Sequence, residues 1–245
     1  MKQILSNRSS IRKYKNIDLD KSILNEIKDI INSSPSAMNH QKFSVIFIQD
    51  QKTKDFISEK NGNQNHIKEA PLFLLFLVDC NSILYALNDT NFSYDSSFLE
   101  DDFVVGTIDA TIASTMVQDF CLSQKLGVCY IGGVRFFGKE LCKLLNIEGM
   151  ATPILGMTIG YPNETPKVKP KMDKVFYELY SKSDLENRFI KYNVDMNSFY
   201  QDVYKNLNKD ESLFIKIHNY YLNFKNNSYI DKAHYKDTFL IRKIK

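Results

Sequence analysis

Gly127-Val128-Cys129-Tyr130-Ile131-Gly132-Gly133 is the stretch from which the fold is most readily read. Before it, Val104 to Leu126 carries Ile108, Ile112, Met116, Phe120 and Leu122 at helical spacing, with small Ala110, Ala113 and Ser114 between them. Apolar or small residues reach most faces of that helix, which fits burial at the centre of a domain or at a subunit interface. Gly127 can end it by taking the left-handed conformation of a C-cap. Val128 to Ile131 then reads as a strand. The tandem Gly132-Gly133 has no Cβ atoms, so backbone can approach a flat ring there. A simple bend explains two glycines equally well on this evidence alone.

Working outward, Asp18 or Asp20 can cap a helix that runs to Asn32, with Ile23, Ile27, Ile30 and Ile31 on one side. Ser33-Ser34-Pro35-Ser36 stops it, because proline cannot continue a helix. Phe43 to Ile48 reads as a strand, Lys52 to Lys60 as a short helix, and Leu72 to Val78 as a buried strand. Ser82 to Asp102 is polar and irregular, and reads as a long surface loop with room for one short helix, of the kind that often forms a lid or binding loop. Gly138 to Asn146 should be a short helix and Ile154 to Gly160 a strand closed by Tyr161-Pro162. The irregular alternation of strands and helices favours an α+β core over a doubly wound sheet. Beyond Thr165 comes a Pro/Lys connector, then helical patches at Asn197–Leu207 and Asp210–Asn223. Residues 1–165 are therefore read as the core domain and 166–245 as an extension.

Composition narrows the function classes. The 245 residues are 43% apolar and 25% charged, with a net charge of only +3, too small for a strong nucleic-acid or membrane field. No apolar run approaches the roughly 18 residues of a membrane span. The start of the sequence lacks the apolar core of a signal peptide, so the cytoplasm is the expected location. Cys80, Cys121, Cys129 and Cys142 show no metal-ligand spacing and read as buried thiols. The scattered histidines contain no HExxH, and no metal site is expected.

Five short motifs carry chemistry. Arg8-Ser9-Ser10-Ile11-Arg12 places two guanidiniums and two hydroxyls where they can grip a phosphate, or forms a solvated basic segment. Ser34-Pro35-Ser36-Ala37-Met38-Asn39-His40-Gln41 is a polar loop ahead of a strand. Asn61-Gly62-Asn63-Gln64-Asn65-His66 is a polar turn, in which the Gln64 amide can donate and accept at once. Tyr130-Ile131-Gly132-Gly133 follows, and Lys169-Pro170-Lys171 is a basic linker.

In order and spacing, these motifs resemble the FMN-dependent nitroreductase family, especially its larger branch of NADPH nitroreductases and NADPH–flavin reductases. The match covers roughly residues 7–171. The resemblance implies an α+β fold with a mixed, mainly antiparallel sheet flanked by helices, plus a C-terminal extension packing on the core or on a partner subunit. It implies that FMN is held by Arg8, Ser9, Ser10, Arg12, Ser36, Asn39, Gln64, Tyr130, Ile131, Gly132, Gly133, Lys169 and Lys171. Gln41 would anchor its loop rather than touch flavin. The chain departs from the family pattern at Ser9, where another arginine is usual, at Ala37, where a second serine is usual, and at Lys171, which replaces an arginine and loses its bidentate geometry.

The activity implied is ping-pong hydride transfer from NADPH or NADH, through FMN, to nitroaromatics, quinones or free flavin. No protein residue need be catalytic, because the flavin carries the chemistry. Arg12 is the cation expected near N1 and O2. A homodimer with FMN at its interface is also implied, with a small-molecule electron acceptor and neither nucleic acid nor membrane as partner. Rival readings are other flavin chemistry on the same fold (reductive dehalogenation or flavin fragmentation, with Ser82–Asp102 as a lid), a non-enzymatic flavin-binding redox sensor, and an interaction module using the Lys/Tyr-rich C-terminus.

Overall fold

The computed structural model describes residues 2–88, 90, 92, 94, 96–203 and 213–226. They fall into two compact units, one within Met1–Thr165 and one within Pro166–Ile230.

The first unit is built on four strands: β1 (Phe43–Ile48), β2 (Leu72–Asp79), β3 (Gly127–Ile131) and β4 (Ala151–Gly160). Their order is β1-β2-β4-β3, and all three pairings are antiparallel. The α+β class and the mainly antiparallel sheet are as the resemblance implied, and among the described residues the sheet has no parallel pair. β2 is central and buried from Leu72 to Val78, because both of its faces are covered. Leu72, Leu74, Phe76 and Val78 face one apolar cluster with α2 (Lys21–Asn32) and α6 (Ser96–Ser123). Phe73, Leu75 and Leu77 face a second, with residues of α3 (Gln51–Lys60), α4 (Asn65–Glu69) and α7 (Gly138–Leu145). Each fully buried side chain of this size stabilises the fold by about 1.5–3 kcal/mol, so the double-sided strand is a large part of the core.

β4 begins three residues earlier than expected and takes in Pro153. Proline cannot donate to a ladder and sits in central strands essentially only at bulges. Here the register shifts between Phe76 and Leu77, so that Leu77 faces Pro153 and Ile154 is the extra residue.

Several sequence-based expectations need correction. Asp20 stands at the start of α2 but makes no side-chain cap; the Leu24 N–H instead reaches the Asp20 carbonyl at 3.2 Å. The loop expected over Ser82–Asp102 is largely helical. α5 covers Asn81–Leu87, and α6 starts at Ser96. The acidic Asp101-Asp102 pair suggested solvent, yet Asp102 is buried, ion-paired with Lys42 and hydrogen-bonded by the Tyr94 hydroxyl. That pairing allows a carboxylate inside the fold, with Leu99 buried one turn away. Nor does Gly127 cap α6. Lys125 takes the left-handed conformation (φ 59°), while Gly127 opens β3 where Ile11 Cγ1 lies 2.6 Å from the place of a Cβ.

In the second unit, α8 (Lys182–Val203) begins fifteen residues before the expected patch at Asn197. The Ser181 hydroxyl accepts the Asp184 N–H at 3.1 Å, and Arg188 bridges Asp184 and Asp173, so polar contacts rather than an apolar stripe start this helix. α9 (Leu213–Asn226) packs Phe214 edge-on against Phe189, with centroids 5.1 Å apart. Residues 204–212, where the two expected patches end and begin, lie outside the described residues. Among the described residues no helix is long and apolar enough to cross a membrane.

Candidate functional site

β3 ends at Ile131, and the chain tightens at once into a 3-10 turn from Gly132 to Phe137. Two other segments converge beside this corner. The N-terminal segment is stitched along the sheet: the Ile11 N–H donates to the Val128 carbonyl at 3.0 Å, and Tyr14 bridges to Pro162. The Tyr14 hydroxyl is buried, hydrogen-bonded to the Ile11 carbonyl at 2.9 Å and to Thr158 Oγ1 at 2.8 Å. Burial pushes its pKa well above the ordinary tyrosine value. Glu164 Oε1 accepts both the Arg12 and the Lys13 N–H groups. These contacts fix the backbone from which Arg12 projects.

The Asn61–His66 turn arrives from the far end of α3. Buried Ser58 donates its hydroxyl to the Gln64 carbonyl at 2.9 Å, and the Ile67 N–H donates to the same oxygen at 3.0 Å. The Gln64 side chain is thereby left on an ordered backbone. Arg12, Asn61, Gln64, His66, Cys129 and the run Tyr130–Gly133 line one cavity of about 540 Å³. That is within the range of small-molecule sites.

The electrostatics are those of a cationic pocket. Desolvation raises the Cys129 thiol, while Arg12, a hydrogen bond to Ser10, and Arg8 pull it back down. Arg8 acts likewise on Tyr130, whose hydroxyl donates to the Ser114 carbonyl at 3.2 Å. The two arginines and Ser10 therefore lie around β3, with Ser9 between them in the chain. His66 is held below the ordinary imidazole value, first by burial and then by Arg12.

The two glycines are not equivalent. A Cβ on Gly133 would stand 2.0 Å from Asn61 Oδ1, so this glycine makes room for Asn61. At Gly132 the nearest atom to a Cβ would be Arg135 Nη2 at 3.8 Å, so open space lies over its Cα, while its carbonyl accepts from Arg135 Nε at 3.1 Å.

The remaining expected residues lie elsewhere. Ser36 and Asn39 are on the loop between α2 and β1, which lines a different cavity, of about 900 Å³, with Asn39, Gln41 and Lys28 in its wall. Ser36 Oγ accepts the Gln41 N–H at 3.1 Å, and the Gln41 amide donates to Asn39 Oδ1 at 3.3 Å. Asp109 of α6, 1% exposed, accepts the Ala37 N–H at 3.0 Å. Lys169 and Lys171 belong to the second unit, on the exposed segment ahead of α8. Sequence reasoning passed over Asn61, His66 and Cys129. The first two sit inside the quoted turn, but nothing in their order singles them out; Cys129 reads as an ordinary strand residue.

Residues 5–161 match the Nitroreductase family model. The chain is 35% identical over 169 residues to the FMN reductase (NAD(P)H) of Bacillus subtilis, a match covering 69% of this chain and 68% of that protein. It is 29% identical over 209 residues to the Cr(VI) reductase of Pseudomonas sp. strain G-1, covering 82% of this chain and 84% of that protein. Its fold superposes on NfrA2 of Bacillus megaterium with a TM-score of 0.83 at 26% identity, over 94% of this chain and 96% of the other. With a family model spanning most of the first compact unit and a whole-chain structural match, this chain belongs to the nitroreductase family.

Proposed function

We propose that the chain is an FMN-dependent oxidoreductase that takes a hydride from NADPH or NADH and delivers it to a small acceptor such as a nitroaromatic, a quinone or free flavin. The observation that carries this reading is the convergence of Arg12, the Gln64 amide and Gly132, with open space over its Cα, on one cavity of about 540 Å³. Similarity to a reductase described by FMN and NAD(P)H supports it.

The residues fit the cofactor. Bound FMN supplies the hydride chemistry. Gln64 presents one donor and one acceptor, suited to the alternating N–H and C=O edge of an isoalloxazine. Arg12 places a fixed positive charge beside the ring, which favours the anionic reduced form. Gly132 lets the main chain come within hydrogen-bond range. Arg8, Ser9 and Ser10 offer charge-assisted donors for the phosphate, joined in this reading by Lys169 and Lys171.

The working form is a cytoplasmic homodimer. Val104, Ile108 and Ile112 leave apolar side chains exposed at four-residue spacing along α6, an unfilled helix face. β1 is a sheet edge. The Ser36–Asn39 loop lies outside the wall of the Arg12 cavity in one chain, so a second copy would supply it, with residues 166–245 packing as connector and extension.

The test is an absorbance spectrum of the purified protein followed by anaerobic NADPH. Oxidised-flavin bands that bleach on addition are expected. Protein that takes up no FMN even after incubation would sink the proposal. Light scattering should give twice the 28.5 kDa chain mass.

A further inference from the structure

His66 plays no part in the family signature as the sequence presents it, yet it is the most unusual polar group in the cavity. Its side chain lines the pocket beside Arg12 and Gln64. It is 7% exposed, and its Nε2 is buried with no hydrogen-bond partner among the described residues. Buried polar atoms are nearly always paired, and each orphan calls for a reason. Asn61 and Gln64 share the same turn, but their backbones or side chains are engaged by Ile57 and Ser58. His66 lines the cavity and carries a desolvated, unspent nitrogen.

The charged groups around it are Arg12 and Glu164. Arg12 and burial both disfavour a second cation here, and the imidazole is neutral at pH 7. A neutral imidazole offers one donor and one acceptor nitrogen. A flat heterocycle with alternating N–H and C=O groups can satisfy either.

Resting on the flavin reading above, we infer that His66 is a direct cofactor contact, its Nε2 hydrogen-bonded to the polar edge of the bound isoalloxazine next to Gln64. The contact completes a pairing that the protein alone leaves open. It therefore adds affinity on binding and no stability to the empty protein.

The experiment compares wild type, His66→Leu and His66→Gln. FMN affinity is read from quenching of flavin fluorescence, and melting temperature is read with and without FMN. His66→Leu should bind FMN about tenfold more weakly, the loss of one hydrogen bond to a buried group, while melting no lower than wild type when empty. His66→Gln, which keeps a polar atom, should recover part of the affinity. Equal FMN affinity in wild type and His66→Leu would overturn the inference and leave the flavin reading standing. Wild type that binds no FMN would overturn both. If His66→Leu does not fold, imidazole-15N spectra of the wild type decide. FMN must move the His66 Nε2 resonance, and an unmoved resonance overturns the contact.

Discussion

The wall of the Arg12 cavity and the Ser36–Gln41 loop are two parts of the same expected binding surface, built in opposite ways. The cavity wall hangs from strand ends and is fixed by close packing; Gly133 is pressed against Asn61, and Ile11 against Gly127. The loop is held in backbone conformations that L residues avoid. Met38 (φ 52°), Asn39 (φ 57°) and Gln41 (φ 52°) are all left-handed and none is glycine. Each costs roughly 1–2 kcal/mol. Such a loop persists only because its surroundings over-determine it, here through Asp109 and the Ser36–Gln41 bond. One half is set by sterics, the other by a few polar props.

Four measurements can break or sharpen that contrast. The largest effect is expected from Gly133→Ala, whose new Cβ would meet Asn61 Oδ1 at 2.0 Å. Overpacking of this kind costs about 1–3 kcal/mol, and displacement of Asn61 should weaken FMN binding about tenfold or more in a fluorescence titration. An unchanged affinity would show that this corner yields more easily than its packing suggests.

Asp109→Ala should cost about 1–3 kcal/mol in a denaturant melt by leaving the Ala37 N–H without its acceptor, and Asp109→Asn should restore most of it. Equal melting of the alanine variant and wild type would mean the loop does not depend on this prop.

Met38→Gly runs the other way. Met38 is 86% exposed and left-handed, so relief of strain should exceed the added chain entropy, a gain of about 0.5–1 kcal/mol in the same melt. A loss would argue that the conformation is not strained in this setting.

The smallest effect concerns pH. His66 has its pKa lowered in the folded chain. Below its unfolded value near 6.5 the unfolded chain takes up a proton that the folded chain resists. Stability is therefore complete above about 6.5 and declines as pH falls toward the lowered folded value. His66→Leu should remove this part of the slope, and a slope identical to wild type would count against it.

How much of this was legible beforehand varied with the physics involved. β1, β2 and β3 show as apolar runs because their side chains face covered surfaces, and α7 shows through its spacing. Arg12, Gln64 and Tyr130–Gly133, singled out in the sequence, are brought by the fold to the wall of one cavity. The burial of Asp102 in the fold was not legible, because a carboxylate in a polar run looks solvated until Lys42, sixty residues away, is placed against it. The different roles of Gly132 and Gly133 were hidden for the same reason, since only the approach of Asn61 tells them apart. The extent of α8 depends on Arg188 and its acidic partners, which carry no periodic apolar signal.

The bond from Glu164 to the Arg12 backbone spans 152 residues of chain. A ribosome delivers residue 12 early and residue 164 much later. In the interval the nascent protein already carries its arginine, its amide turn, its paired glycines and the Ile11–Val128 pairing, but not the carboxylate that accepts the Arg12 and Lys13 N–H groups. The Arg12 and Lys13 N–H groups thus gain their acceptor only after β4, which ends at Gly160, has emerged.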